Sequence, residues 1–294
     1  MESSGTVSKD KLPVFYDSFV DLLDKDTELL TKSSMEMVIP QEIWTIDKPL
    51  SEEECKKIIE HTLRLGFHEA TVGTGQGLQV KKEWRNNTRC IINDEASAKV
   101  LWDRVKNTVS KCLLGWMPVG LNPQFRFYRY EPGQYFKRHY DGCYTKNQKE
   151  ISSTTFQIYL TDEATGGETT FFDEIFPDGQ WGCIPKKGKG LFFHHRGWFH
   201  EGSPVTEGVK ISIRSDVIYR MLDQEELHDL EEKGFHDYCF VCNHDVRIGT
   251  GRCRHKIMYC NCNFLEKPDP KMRLKSVLRG RFCSECEQVQ QLIE

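Results

Sequence analysis

Two short stretches far apart in the chain, His139-Tyr140-Asp141 and His200, constrain the fold more than any other feature. Side chains at i and i+2 of an extended strand point to one face, so the imidazole and carboxylate of His-x-Asp can converge on a single ion. That is half a metal site. If His200, 59 residues beyond Asp141, closes the set, two imidazoles and one carboxylate cover one face of an octahedral ion. Three coordination positions then stay open, an arrangement that suits ferrous iron.

The chain has room for such a scaffold. Its 294 residues, 38% hydrophobic and 29% charged, allow one large domain plus a small one. No stretch approaches the roughly 20 consecutive apolar residues of a membrane span, and Met1-Glu2-Ser3-Ser4-Gly5 has neither a basic start nor an apolar run. A cytoplasmic or nuclear location is therefore expected, with no membrane partner. Of the twelve cysteines, seven fall within the last 56 residues. In a reducing compartment such crowding reads as metal binding. From Cys239 onward ten basic residues face six acidic ones, so this part carries +4 and the remainder −8 of the net −4.

Residues 1–40 read as a leader, with Phe15 to Leu23 a candidate docking helix. Residues 41–222 form the main domain. Ser51-Glu52-Glu53-Glu54 has capping-box spacing before the apolar positions Cys55, Ile58, Ile59, Thr62 and Leu63, and Gly66 stops the helix. A second helix, capped around Asn93-Asp94-Glu95, carries the stripe Leu101, Val105, Val109, Cys112 and Leu113. Gly73 to Gly77 reads as a flexible surface loop. After Pro118 come short runs that predict strands at 125–130, 154–160, 169–172, 190–193 and 209–219. The expected fold is mainly β, a sandwich or barrel with flanking helices. A charged helical linker at 223–236 leads to a Cys/His-rich module at 237–290.

Five blocks succeed one another: His139-x-Asp141; Gly166-Gly167-Glu168-Thr169; Pro185 to Phe193; Trp198 to Val205 around His200; and Gly208-Val209-Lys210-Ile211-Ser212-Ile213-Arg214. From about Ile43 to Arg220 this order resembles the catalytic domain of the prolyl 4-hydroxylase-like 2-oxoglutarate and iron(II) dioxygenases. The resemblance implies a double-stranded β-helix, or jelly roll. It also implies His139, Asp141 and His200 as iron ligands, with O2 and 2-oxoglutarate as cosubstrates and ascorbate as reductant. The far carboxylate of 2-oxoglutarate needs a buried cation. By the resemblance that cation is Lys210, with Ser212 on the same strand face, Tyr130 nine residues before His139, and Thr169 in the same pocket. Arg214 shares that face too, and Arg214-x5-Arg220 resembles the arginine pair of nucleic-acid demethylases, so Arg214 stays open as an alternative anchor.

At the C-terminal end Cys239, Cys242, Cys253, His255, Cys260, Cys262, Cys283 and Cys286 supply four ligand pairs, enough for one or two structural zinc ions. Their order resembles RING-like fingers, although the inner spacings Cys253-x-His255 and Cys260-x-Cys262 depart from that pattern. Such a module would fold around its metal and recruit a partner. The expected function is hydroxylation of a C–H bond, in prolyl residues of a protein or in a small molecule, with release of succinate and CO2. Two alternatives stand beside it: a nucleic-acid demethylase of the same superfamily, which the −8 balance opposes, and an inactive jelly roll whose zinc module is the working part.

Overall fold

The computed structural model describes residues 13–24, 34–39, 42–74, 77–109, 116–195, 197–223, 225–226, 237–238 and 245–246. The expected linker at 223–236 falls largely outside these residues, and all eight expected zinc ligands fall outside them.

The five strands expected from the sequence are present as Gln124–Tyr130, Glu150–Tyr159, Thr169–Phe172, Gly190–His194 and Lys210–Met221. They divide between two sheets. The larger runs in the order Met35–Ile39, Ile43–Ile46, Gly190–His194, Glu150–Tyr159, Lys210–Met221, Gln124–Tyr130, Thr88–Asn93 and His68–Glu69, all antiparallel. The smaller runs Gln180–Cys183, Thr169–Phe172, His200–Gly202 and Phe136–His139. This mainly β, two-sheet architecture with flanking helices is consistent with a jelly roll.

Strand alternation gives the larger sheet two unlike faces. On the outer face Phe125, Phe127, Phe156, Ile158, Ile211 and Ile213 join a core with Cys55 and Ile58 of the helix Glu52–Leu65 (α1) and Leu101 and Val105 of Glu95–Val105 (α2). The inner face is polar. Cross-strand register aligns Arg89, Tyr128, Ser212 and Tyr159 in one row, and Arg126, Arg214 and Gln157 in the next. A sandwich interior is ordinarily apolar, so a polar row there marks a site.

Helix α1 starts where the sequence places it: Ser51 Oγ accepts from Glu54 N–H at 3.2 Å, and Glu54 closes the capping box on Ser51 N–H at 2.7 Å. Helix α2 ends before Val109 of its expected stripe, and Cys112 and Leu113 of that stripe lie outside the described residues. It ends at Val105, Lys106–Thr108 tightens into a 3₁₀ turn, and Thr108 Oγ donates to Val105 O at 2.7 Å. Val109 is still buried in the core, so the stripe reports burial beyond the last helical residue. Gly73 and Gly77 lie on paired strands where a surface loop is expected, Val72–Thr74 against Gly77–Gln79, and Gly75 lies outside the described residues. Phe19 and Leu23 pack on the core beside a 3₁₀ turn at Val20–Leu22, the short outcome of the expected docking helix. No helix among the described residues is long and apolar enough to cross a membrane.

The helices and the N-terminal segment are locked by one buried pair. Arg104 of α2 donates to Glu54 of α1 at 2.7 Å with both side chains fully buried, and the same guanidinium donates to Asp24 O and Pro49 O. Glu54 also accepts from Asp24 N–H at 2.6 Å. Removing one partner leaves an uncompensated buried charge, so Arg104→Ala is expected to lower unfolding free energy by about 3–5 kcal/mol. Urea unfolding followed by circular dichroism measures it.

Candidate active site

His139 ends the strand Phe136–His139, and His200 opens the antiparallel strand directly opposite it, with ring centroids 4.4 Å apart. Asp141 lies just past the end of its strand, not within it as the His-x-Asp spacing suggests, because regular pairing stops at His139. Its carboxylate nevertheless reaches both rings: Oδ1 is 3.5 Å from His139 Nε2 and Oδ2 is 3.7 Å from His200 Nε2. One ligand atom from each of the three residues falls within 4.8 Å of the others.

Each imidazole is oriented from behind. His139 Nδ1–H donates to Lys137 O at 2.8 Å, and His200 Nδ1–H donates to Trp198 O at 3.0 Å. A donor at Nδ1 leaves the lone pair on Nε2, the nitrogen that faces Asp141. Burial pushes His200 down to about 3, with His139 adding to the effect, so this ring is neutral and able to ligate. Burial alone would raise the Asp141 carboxyl, but Arg214 and the two histidines outweigh it and hold Asp141 well below the usual range. Two imidazole nitrogens and a carboxylate make a donor set that fits a divalent transition metal, ferrous iron included.

The cavity continues along the inner face to Lys210, which is 2% exposed. Lys210 Nζ donates to Gly167 O at 2.5 Å and stands 5.0 Å and 5.5 Å from the ring centroids of Tyr130 and Tyr159. Among the described residues it has no carboxylate partner within ion-pair distance. Burial pushes it down to about 8. Gly167 is needed at this approach: its φ is +73°, and a Cβ there would lie 2.9 Å from Val205 Cγ2 and 3.1 Å from Lys210 Cδ.

Other donors surround Lys210. Thr169 Oγ accepts from Tyr159 O–H at 2.8 Å and from Gln157 Nε2–H at 3.1 Å, which fills its lone pairs and leaves its own proton to give. Ser212 Oγ is buried with no hydrogen-bond partner among the described residues. Burial raises Tyr130 to about 12, so its hydroxyl keeps its proton and lines the same cavity. An ammonium and three hydroxyls converge here with few acceptors in return, which is what a carboxylate needs.

Arg214 is placed differently from Lys210. Its Nη1 donates to Asp141 Oδ1 at 2.6 Å, and its Nε and Nη2 donate to Asp216 Oδ1 at 3.3 and 3.1 Å. Sequence reasoning passed over Thr155 and Gln157, which line the cavity, and Tyr159, whose hydroxyl reaches Thr169 at its wall. The period-2 pattern of the strand at 154–160 carried the signal, since residues 155, 157 and 159 share a face and two of them are polar.

Residues 125–215 match the family model of the 2OG-Fe(II) oxygenase superfamily. Among curated proteins the chain is 27% identical over 180 residues to probable prolyl 4-hydroxylase 9 of Arabidopsis thaliana, covering 54% of this chain and 62% of that one. It is 28% identical over 177 residues to prolyl 4-hydroxylase 1 of the same plant, covering 57% and 60%. The match thus spans about three-fifths of either relative's length. Among solved structures, the viral collagen prolyl hydroxylase of Paramecium bursaria Chlorella virus-1, determined with 2OG, is 25% identical, with a TM-score of 0.41 over 60% of this chain and 96% of that one. The matched segment is thus similar to the 2OG-Fe(II) oxygenases and, among curated proteins, to plant prolyl 4-hydroxylases.

With the third ligand removed, two imidazoles hold an ion poorly. Asp141→Ala is expected to abolish Mn(II) binding while the far-ultraviolet circular dichroism stays unchanged, with isothermal titration calorimetry as the readout.

Proposed function

We propose that the 2OG-Fe(II) oxygenase segment of this chain is a working hydroxylase: it uses Fe(II), O2 and 2-oxoglutarate to hydroxylate a C–H bond, releasing succinate and CO2. The observation that carries this reading is that the donor cluster at Lys210 and the His139–Asp141–His200 group line one cavity. A metal held by the three side chains would, together with the keto acid, supply O2 activation. The chain's own part is positional. His139 Nε2, Asp141 and His200 Nε2 would hold the ion. Lys210, Thr169, Ser212 and Tyr130 would take the far carboxylate of the cosubstrate, which fixes the keto end toward the metal. Phe136, stacked on His139 with centroids 3.7 Å apart, and Phe193, edge-on to His200 at 4.6 Å, each cover one side of a ligand ring.

Lys210 is the better cosubstrate anchor than Arg214, because Arg214 is already engaged by two carboxylates and Lys210 by a single carbonyl. The same occupancy speaks against a demethylase-type arginine pair. Arg220, its second member, is tied to Glu226 at 2.7 Å. A prolyl residue in a polypeptide is the substrate this reading favours, since both curated relatives are named prolyl 4-hydroxylases. Ascorbate as reductant, zinc in the Cys239–Cys286 module and a cytoplasmic or nuclear setting are parts of the same proposal that rest on the sequence.

Purified full-length chain with Fe(II), ascorbate and labelled 2-oxoglutarate is expected to release labelled succinate, and no release together with no anaerobic 2-oxoglutarate binding would refute the reading. Lys210→Ala loses a charge-assisted contact of about 1.5–3 kcal/mol, so the 2-oxoglutarate requirement should rise about tenfold to a hundredfold. The sign of the pH dependence follows from the lowered Lys210. The dicarboxylate binds the charged ammonium, which dominates below about 8 and is lost above it. Calorimetric affinity for 2-oxoglutarate should therefore hold steady up to about pH 8 and then weaken, whereas Lys210→Arg should remove the decline.

A further inference from the structure

Arg214 connects the candidate metal ligand to the charges behind the cavity. One arm of its guanidinium meets Asp141 Oδ1 at 2.6 Å, and the others meet Asp216 Oδ1 at 3.1 and 3.3 Å. Asp216 is anchored in turn: its Oδ2 accepts from Arg126 Nη1 at 3.1 Å, and its Oδ1 faces His195 Nε2 at 3.4 Å. Across the carboxylate of Asp141, Oδ2 accepts from Thr155 Oγ–H at 2.6 Å. Cross-strand pairing of Arg214 with Gln157 and Arg126, and of Asp216 with Thr155, fixes where each of these side chains starts.

Resting on the metal-centre reading above, we propose that Arg214 is a further positioning residue of that centre: it clamps one oxygen of Asp141 so that the carboxylate meets a metal in a fixed orientation. The need for a clamp is local. Asp141 lies past the end of its strand, so backbone pairing does not set its side-chain torsions, whereas both histidines sit on paired strands with their rings tied to backbone carbonyls. Two donors on opposite oxygens fix the carboxylate plane. Each oxygen keeps a second lone pair, so donors and an ion share the group without competing for one site.

A cation beside a cation site repels, which opposes such a clamp. Here the guanidinium is shared between two carboxylates, so Asp216 offsets part of its charge. A lysine reaches only one of the two, because it lacks the planar fork that spans both.

The test is a Co(II) titration of the full-length chain without 2-oxoglutarate, followed by the visible ligand-field spectrum. Leaving out the cosubstrate separates a clamp on Asp141 from an anchor for the dicarboxylate. Arg214→Gln is expected to weaken Co(II) binding about 10–100-fold and to change the spectrum. Arg214→Lys, which can still donate to Asp141, should show a smaller loss in the same direction, and it is read alone if the glutamine variant does not fold. Arg220→Gln, outside the cavity, is the control and should match wild type. Variants at Arg214 that bind Co(II) as tightly as wild type with the same spectrum, or more tightly, overturn the inference and leave the metal-centre reading intact. Wild-type protein that takes up no Co(II) overturns both.

Discussion

A carboxylate buried between two imidazoles inside a β sandwich is costly to maintain, and much of this chain is arranged around keeping Asp141 there. Removed from water and left unpaired, the group would take up a proton and lose its value as a ligand. Thr155 and Arg214 answer that from two different directions, and Asp216, Arg126 and His195 hold Arg214 in place. Burial would lower His195, yet Asp216 and Cys143 beside it raise it to about 9, so it is a cation facing Asp216 near neutral pH. The network therefore alternates in sign from the cavity inward, as a buried cluster of charges must if none is to stand alone.

Such an interior contributes little to stability, so the stability has to come from the other side of the same strands. Residues that alternate with Tyr128, Ser212 and Arg214 are Phe127, Ile211 and Ile213, and they meet the two helices in the large core. The Glu54–Arg104 pair joins both helices to the segment before them. One set of strands thus serves two purposes through period-2 alternation alone. Apolar residues turned outward hold the sheet rigid, and that rigidity keeps the inward groups in place.

What the sequence revealed depended on whether the determining contact was local. The convergence of His139, Asp141 and His200 was legible from a two-residue spacing and a motif order, and the placement of Lys210 and Ser212 on one face followed from the same periodicity. Of the two partners of Arg214, Asp216 is local, two residues on, whereas Asp141 was not legible, because it is 73 positions away and only the pairing of strands brings them together. Tyr159 carries no distinct signal of its own, because its ring packs with Phe171 and Phe193 like a core aromatic while only its hydroxyl reaches Thr169. The end of α2 was misjudged because Val109, buried just after the 3₁₀ turn, stands at helical spacing from Val105. The strands Met35–Ile39, Ile43–Ile46 and Thr88–Asn93 went unseen because short apolar runs before the expected β region carry little period of their own.

The most direct test of the metal centre is anomalous scattering from crystals of the chain grown with Mn(II) and 2-oxoglutarate. The account predicts one manganese peak bonded to His139 Nε2, an Asp141 oxygen and His200 Nε2, with the far end of the dicarboxylate on Lys210. A peak bonded elsewhere, or a cavity that holds the dicarboxylate with no metal at those three atoms, would contradict it.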